Sequence, residues 1–179
     1  MASQKENGPL FEDFYNDSLG KVSFGAVIDE VLAYVAKDTS AEYRIFIGSD
    51  SLSHDTRASI VSTIVAYKIG NGGRYFWHRF QREDIYNLRD KIHAEVQCSI
   101  ELAQKVLLAL SDKIADLPSK LEVHLDVGQN GNTRDLITEV VGWVRAYGLN
   151  VKTKPDSVAA TSVADRRTIL PTRSIGMTT

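Results

Sequence analysis

Three stretches rich in β-branched and aromatic residues follow one another with short turns between them, and this pattern constrains the fold most. They cover residues 43–50, 57–69 and 74–81, and the last two are separated by Gly-Asn-Gly-Gly at 70–73. Glycine and asparagine accept the positive φ angles that tight hairpins require. The sequence therefore predicts a three-stranded antiparallel meander.

The rest of the chain alternates between helical and strand patterns. A helix is also predicted before the meander, at 23–37. After it, apolar residues recur every three or four positions along a long helix at 84–113. The later elements are a strand at 121–126, a helix at 133–147, a short strand at 150–154 and a last helix at 159–168. Strands reached through helices pair in parallel. We therefore predict an α/β fold with a five-stranded mixed sheet, three antiparallel strands followed by two parallel additions, flanked by helices.

Length and composition fit one globular domain. The 179 residues are 43% apolar with a net charge of −2, and we expect an N-terminal arm at 1–20, a domain at 21–169 and a flexible tail at 170–179. The single cysteine, Cys98, excludes an intrachain disulfide and is typical of a reducing compartment. No apolar run approaches the ~20 residues that cross a bilayer, and the N-terminus lacks an apolar signal region. These features predict a cytoplasmic protein without membrane contact.

Four acidic residues occupy distinct places on the predicted elements. Asp50 and Asp126 end two strands, Glu95 lies in the middle of the long helix, and Asp165 lies in the last helix. Singly, each is as simply explained as a solvated strand end or helix cap. Together they would converge at one edge of the sheet, where carboxylates repel unless divalent cations lie between them. The set predicts a Mg²⁺ or Mn²⁺ site suited to two-metal phosphodiester chemistry, with these acids as ligands and catalytic residues.

Four further residues are candidates for contact with substrate. His54 follows Asp50, Asn130 lies in a glycine-containing loop before a helix, Lys154 follows the fifth strand, and Arg166 belongs to a small basic patch. Loop N–H groups and basic side chains bind phosphate. Each also has an ordinary explanation: a turn that uses asparagine for positive φ, a helix cap after a proline, or a solvated surface.

Several segments of the chain resemble one family. The chain is similar to the bacterial and phage YkuK-like proteins of the ribonuclease H-like superfamily over about residues 22–169. The matching segments are Ile47-Gly48-Ser49-Asp50-Ser51, His93-Ala94-Glu95 with Ser99, the run from His124 to Thr133, and Lys154-Pro155-Asp156-Ser157 through Ala160 to Ala164-Asp165-Arg166. The resemblance implies a ribonuclease H-like fold and a divalent-metal nuclease. Its metal-binding acids correspond to Asp50, Glu95, Asp126 and Asp165.

The expected function is metal-dependent hydrolysis of RNA or another nucleic acid, either DNA or a hybrid. Two other classes remain open from the sequence. A nucleic-acid-binding module on the same fold would bind oligonucleotides without cutting them. An actin-like nucleotide phosphatase would need two such domains, which a homodimer would supply.

Overall fold

A computed structural model describes residues 11–129, 133–157 and 163–167 of the protein. One seven-stranded sheet runs through them in the order β2-β1-β5-β4-β3-β6-β7. Its strands are β1 (Asp13–Asn16), β2 (Gly20–Ser23), β3 (Tyr43–His54), β4 (Arg57–Lys68), β5 (Gly73–Glu83), β6 (Leu121–His124) and β7 (Asn150–Lys152). The helices are α1 (Phe24–Ala36), α2 (Leu88–Leu110), α3 (Leu117–Lys120), a 3₁₀ turn (Arg134–Leu136), α4 (Ile137–Ala146) and the helical segment 163–167.

The predicted mixed sheet flanked by helices is confirmed. β3, β4 and β5 form an antiparallel meander, and its second turn contains two glycines, Gly70 and Gly72, with φ of +78°. β6 pairs in parallel with β3, and β7 pairs in parallel with β6. A parallel pair needs a long crossover, and α2 supplies the one between the meander and β6.

The predicted count of five strands is wrong, because the sheet has seven. β1 and β2 form a small hairpin, and Tyr15 of β1 pairs with Trp77 of β5 at the edge of the meander. Phe14 is fully buried and packs near Phe24 at the start of α1. Strands of four residues are too short to show a clear period of two, so tertiary packing decides them rather than local pattern.

The central strand is longer than predicted. β3 continues through the polar stretch 51–54 to a turn at Asp55, which has φ of +54°. Asp50 therefore lies inside β3 rather than at its end. β6, in contrast, ends at His124, so Asp126 lies just beyond its strand.

The two faces of the sheet carry different packing layers. Ile45 and Ile47 of β3 belong to the main core, which α1 and α2 cover. Phe46 lies on the opposite face, in a smaller cluster with Val65 against which Val163 packs. Side chains alternate along a strand, so the odd-numbered residues of β3 face α2 and the even-numbered residues face the helical segment 163–167.

α2 is amphipathic, with one buried stripe that includes Ile92, Val96 and Ala103. Its N-cap is Asn87, whose side chain accepts a hydrogen bond from Asp90 N at 2.9 Å. α2 therefore packs one face against the sheet and leaves the other polar.

Among the helices of the described ranges, none has the length and apolar character that a membrane crossing requires.

The burial of Phe14 makes a prediction about the N-terminal hairpin. Phe14→Ala is expected to lower the free energy of unfolding by about 3–5 kcal/mol, because it leaves a cavity in the core. Urea denaturation followed by circular dichroism measures the change. Leu19→Ala in the exposed turn of the same hairpin is the control and should change the value by less than about 0.5 kcal/mol. Equal effects of the two substitutions would mean that the hairpin is not part of the core.

Candidate metal centre

Asp50 and Asp126 lie level with each other on one face of the sheet. β3 and β6 pair in parallel as far as Gly48 and His124, and each acid comes two residues after that last pair. Both are therefore on the face of Phe46, whose ring stacks on His124 with centroids 4.4 Å apart. Both are partly exposed. The strand edge thus brings together two carboxylates that are distant in sequence.

Glu95 approaches the same edge from the α2 side. It is 9% exposed, and its Oε1 accepts a hydrogen bond from Ser51 Oγ at 2.7 Å. Ser51 follows Asp50 in β3, so the two side chains leave opposite faces of the strand. Lys91, one helical turn before Glu95, places Nζ 3.8 Å from the same oxygen.

The electrostatics of Glu95 connect the three acids. The pKa of Glu95 is raised to about 7, from an ordinary value of 4.5; burial is the main cause, Lys91 and the Ser51 hydrogen bond act to lower it, and the charges of Asp50 and Asp126 add to the rise. Removal of water from a carboxylate disfavours its charged form. The charged form of Glu95 is therefore less favourable here than it is in water.

Lys154 forms an ion pair with Asp126, one of these acids. Lys154 N donates to Val127 O at 2.9 Å, which extends the ladder of β6 and β7 past the ends of both strands. Lys154 Nζ then lies 2.6 Å from Asp126 Oδ1. The neighbouring Gly128 leaves room for this side chain, since a Cβ there would lie 3.2 Å from the Cβ of Lys154.

Asp165 and Arg166 are exposed on the helical segment 163–167. Val163 of this segment packs against the cluster of Phe46 and Val65, so the segment lies on the face that carries Asp50. Arg167 is held by Asp17 and by the hydroxyl of Tyr75. The structure thus brings the segment to the predicted face, with Asp165 exposed on it.

The remaining predicted contacts are spread more widely. His54 is an exposed residue at the tip of the β3–β4 hairpin, and its Nδ1 lies 3.0 Å from Asp55 Oδ2. It shares the face of Asp50, four residues further along β3. Asn130 lies outside the described residues.

The acids form an electrostatic cluster rather than a closed ligand set. Across residues 11–129, 133–157 and 163–167, no group of three or more His, Cys, Asp and Glu side chains is arranged to hold a metal ion. Glu95 contacts Ser51 on the α2 side of β3, whereas Asp50, the preceding residue, lies on the opposite face of the strand.

The sequence analysis missed two residues that contact Glu95. Lys91 has a signal in the sequence, because residues four apart are neighbours on a helix. Ser51 has none, since its bond to Glu95 joins a strand and a helix that are distant along the chain. Its hydroxyl nevertheless makes the closest contact described for the Glu95 carboxylate.

The raised pKa of Glu95 predicts how stability depends on pH. The unfolded chain loses the Glu95 proton near pH 4.5 and the folded protein near pH 7, so the free energy of unfolding falls between these values as pH rises. Glu95→Gln removes this loss and keeps an oxygen that can accept from Ser51. At pH 8 in EDTA we expect the variant to be roughly 3 kcal/mol more stable than the wild type, with no difference below pH 4.5.

Denaturation at a series of pH values measures this difference. Asp112→Asn, an exposed position just beyond the end of α2, is the control and should show no pH-dependent gain. A constant offset between Glu95→Gln and the wild type from pH 4 to pH 8 would show that Glu95 titrates normally.

Comparison with known proteins shows the family to which the chain belongs. The family model described as Ribonuclease H-like matches residues 26–169. The chain is 34% identical to the "Uncharacterized protein YkuK" of Bacillus subtilis (strain 168) over 168 residues, which cover 87% of this chain and 96% of that protein. No solved structure matches the chain. With its mixed sheet and the acids at the β3–β6 edge, the protein belongs to the ribonuclease H-like family, among relatives of YkuK.

Proposed function

We propose that this protein is a divalent-metal-dependent nuclease that hydrolyses phosphodiester bonds in RNA or another nucleic acid. The observation that supports this most is the position of Asp50 and Asp126, each two residues past the last β3–β6 pair, with buried Glu95 near enough for their charges to act on its pKa. Acids gathered in this way are unfavourable without a cation. Asp50 and Asp126 follow the last pair of the parallel strands β3 and β6, on the side of the sheet where open α/β sheets bind ligands. Family membership supports nucleic acid as the substrate class.

The chemistry of the donors fits a hard cation. Asp50, Glu95, Asp126 and Asp165 offer only carboxylate oxygens, which Mg²⁺ and Mn²⁺ prefer, and we propose these four as the ligands. A pair of such ions, when bound, supplies activation of a water molecule and stabilisation of the leaving oxygen. The positive charge would also offset the cost that raises the pKa of Glu95.

The chain's own residues have separate roles in this proposal. Asp50 and Asp126 carry negative charge at the strand edge, and Ser51 orients the Glu95 carboxylate through Oε1. The Lys154 ammonium neutralises Asp126 in the metal-free protein and, being more than half exposed, is available to a substrate phosphate. We propose His54, Asn130 and Arg166 as further substrate contacts.

Asp50→Asn tests the proposed catalytic site. The substitution removes a negative charge with little change in shape, and we expect cleavage to fall by about 10³-fold or more, since metal-assisted charge stabilisation contributes several kcal/mol. Labelled RNA, DNA and hybrid duplexes with Mg²⁺ or Mn²⁺ measure the rate. The fold should remain intact by circular dichroism.

Asp112→Asn is the matched control for this experiment. It makes the same change at an exposed acid just beyond the end of α2, which is not one of the proposed site residues, and should leave cleavage unchanged. An Asp50→Asn protein that cleaves at the full rate in Mn²⁺ would refute the proposal. Oligonucleotide binding without cleavage, insensitive to Mg²⁺, would favour a non-catalytic module, and nucleotide turnover alone would favour a phosphatase.

Lys154→Met separates the two roles proposed for this lysine. Because the ammonium competes with a cation for Asp126, its removal should tighten Mn²⁺ binding about two- to fivefold, as expected for an exposed ion pair. Isothermal titration calorimetry measures this affinity, and oligonucleotide binding in Ca²⁺ should weaken. Lys152→Met, an exposed lysine two residues earlier, is the control. Weaker Mn²⁺ binding by Lys154→Met would show that the lysine supports the cation instead of competing with it.

A further inference from the structure

Four buried serines form a hydroxyl cluster between the sheet and α2. They are Ser49, Ser51, Ser62 and Ser99, and each is at most 3% exposed. Ser49 and Ser62 are directly opposite each other on β3 and β4, with their Oγ atoms 2.8 Å apart. Ser99 of α2 places its Oγ 3.0 Å from that of Ser49. We name these four residues the serine cluster.

The serine cluster ends on Glu95 at two different atoms. Ser99 Oγ lies 2.9 Å from the backbone oxygen of Glu95, and Ser51 Oγ lies 2.7 Å from its carboxylate oxygen Oε1. One contact holds the backbone of α2 at this residue and the other holds the side chain. Hydrogen bonds that lead to strand β3 thereby hold both the position and the orientation of the Glu95 carboxylate.

The direction of the hydrogen bonds follows from simple counting. A hydroxyl has one hydrogen and a carbonyl oxygen only accepts. All contacts are satisfied when Ser62 donates to Ser49, Ser49 donates to Ser99, and Ser99 donates to the carbonyl oxygen of Glu95. Ser51 separately donates to the carboxylate. The polar chain therefore has a defined order that runs from β4 across β3 to α2.

Stability alone gives little reason for this cluster. It lies in the layer that also contains Ile47, Ile60 and Val96 of the main core, where a buried hydroxyl is unfavourable unless bonded. Replacement of bonded polar partners by apolar groups of similar shape is often nearly neutral. What apolar side chains cannot supply at these positions is a donor to Glu95.

We infer that the serine cluster is a positioning device that fixes the Glu95 carboxylate, with Ser51 as its principal residue. Use of that carboxylate to hold a divalent cation rests on the function proposed above. Bonding of one carboxylate oxygen to Ser51 leaves Oε2 as the less constrained ligand atom. Groups that orient a metal ligand in this way commonly change metal affinity by 10- to 100-fold when they are removed.

Metal-free crystal structures of the wild type and of Ser51→Ala test the positioning directly. Without the hydroxyl, we expect the Glu95 carboxylate to move by about 1 Å or more, a displacement large enough to matter in an active site. Ser59→Ala is the matched control, because Ser59 lies on the opposite face of β4 and its Oγ has no hydrogen-bond partner within residues 11–129, 133–157 and 163–167. An unchanged carboxylate in Ser51→Ala would overturn the inference.

Mn²⁺ titration provides the second readout. If the wild type binds Mn²⁺, Ser51→Ala should bind it roughly 10- to 100-fold more weakly, Ser59→Ala should match the wild type, and Ser51→Thr should recover most of the affinity. Equal affinity of Ser51→Ala and the wild type would overturn the inference. A wild type that binds no Mn²⁺ would instead refute the nuclease proposal, and the crystal structures alone would then decide whether Ser51 positions Glu95.

Discussion

The parallel pairing of β3 with β6 is the constraint on which the candidate site depends. It brings Asp50 of β3 level with Asp126, which follows β6, beyond the last pair, Gly48 and His124. Parallel strands require a crossover between them, and α2 both makes that connection and carries Glu95. One topological choice therefore places three acids at a single edge.

The second constraint is the conflict between burial and charge at Glu95. Burial raises its pKa to about 7, although Lys91 and Ser51 both act in the opposite direction. Lys154 neutralises Asp126 on the outer side, so the metal-free protein already contains positive charge near two of the acids. These positive charges do not fully offset the cost of burying the Glu95 carboxylate, because its pKa stays raised. Perturbed pKa values of this kind are common at functional sites.

Much of the fold could be predicted from the sequence, and the failures have physical causes. The meander was visible because its strands are long and its second turn contains Gly70 and Gly72. β1 and β2 were missed because strands of four residues show almost no period, and the burial of Phe14 comes from contacts with distant elements. The polar residues after Asp50 predict a turn, but hairpin pairing with β4 overrides local polarity and continues β3 to His54.

Some features of the candidate site could also be predicted from the sequence, whereas others depend on the tertiary structure. The sequence by itself determined the order of the meander, α2, β6, α4 and β7, the carboxylate residue types and the helical spacing that places Lys91 beside Glu95, because these follow from residue type and short-range periodicity. Only the tertiary structure decided which face of β3 each side chain occupies, which residues meet at the β6 edge, and that Ser51 and Lys154 contact two of the acids. Those outcomes depend on strand register and on the packing of α2, which join residues far apart in the chain and leave no local pattern.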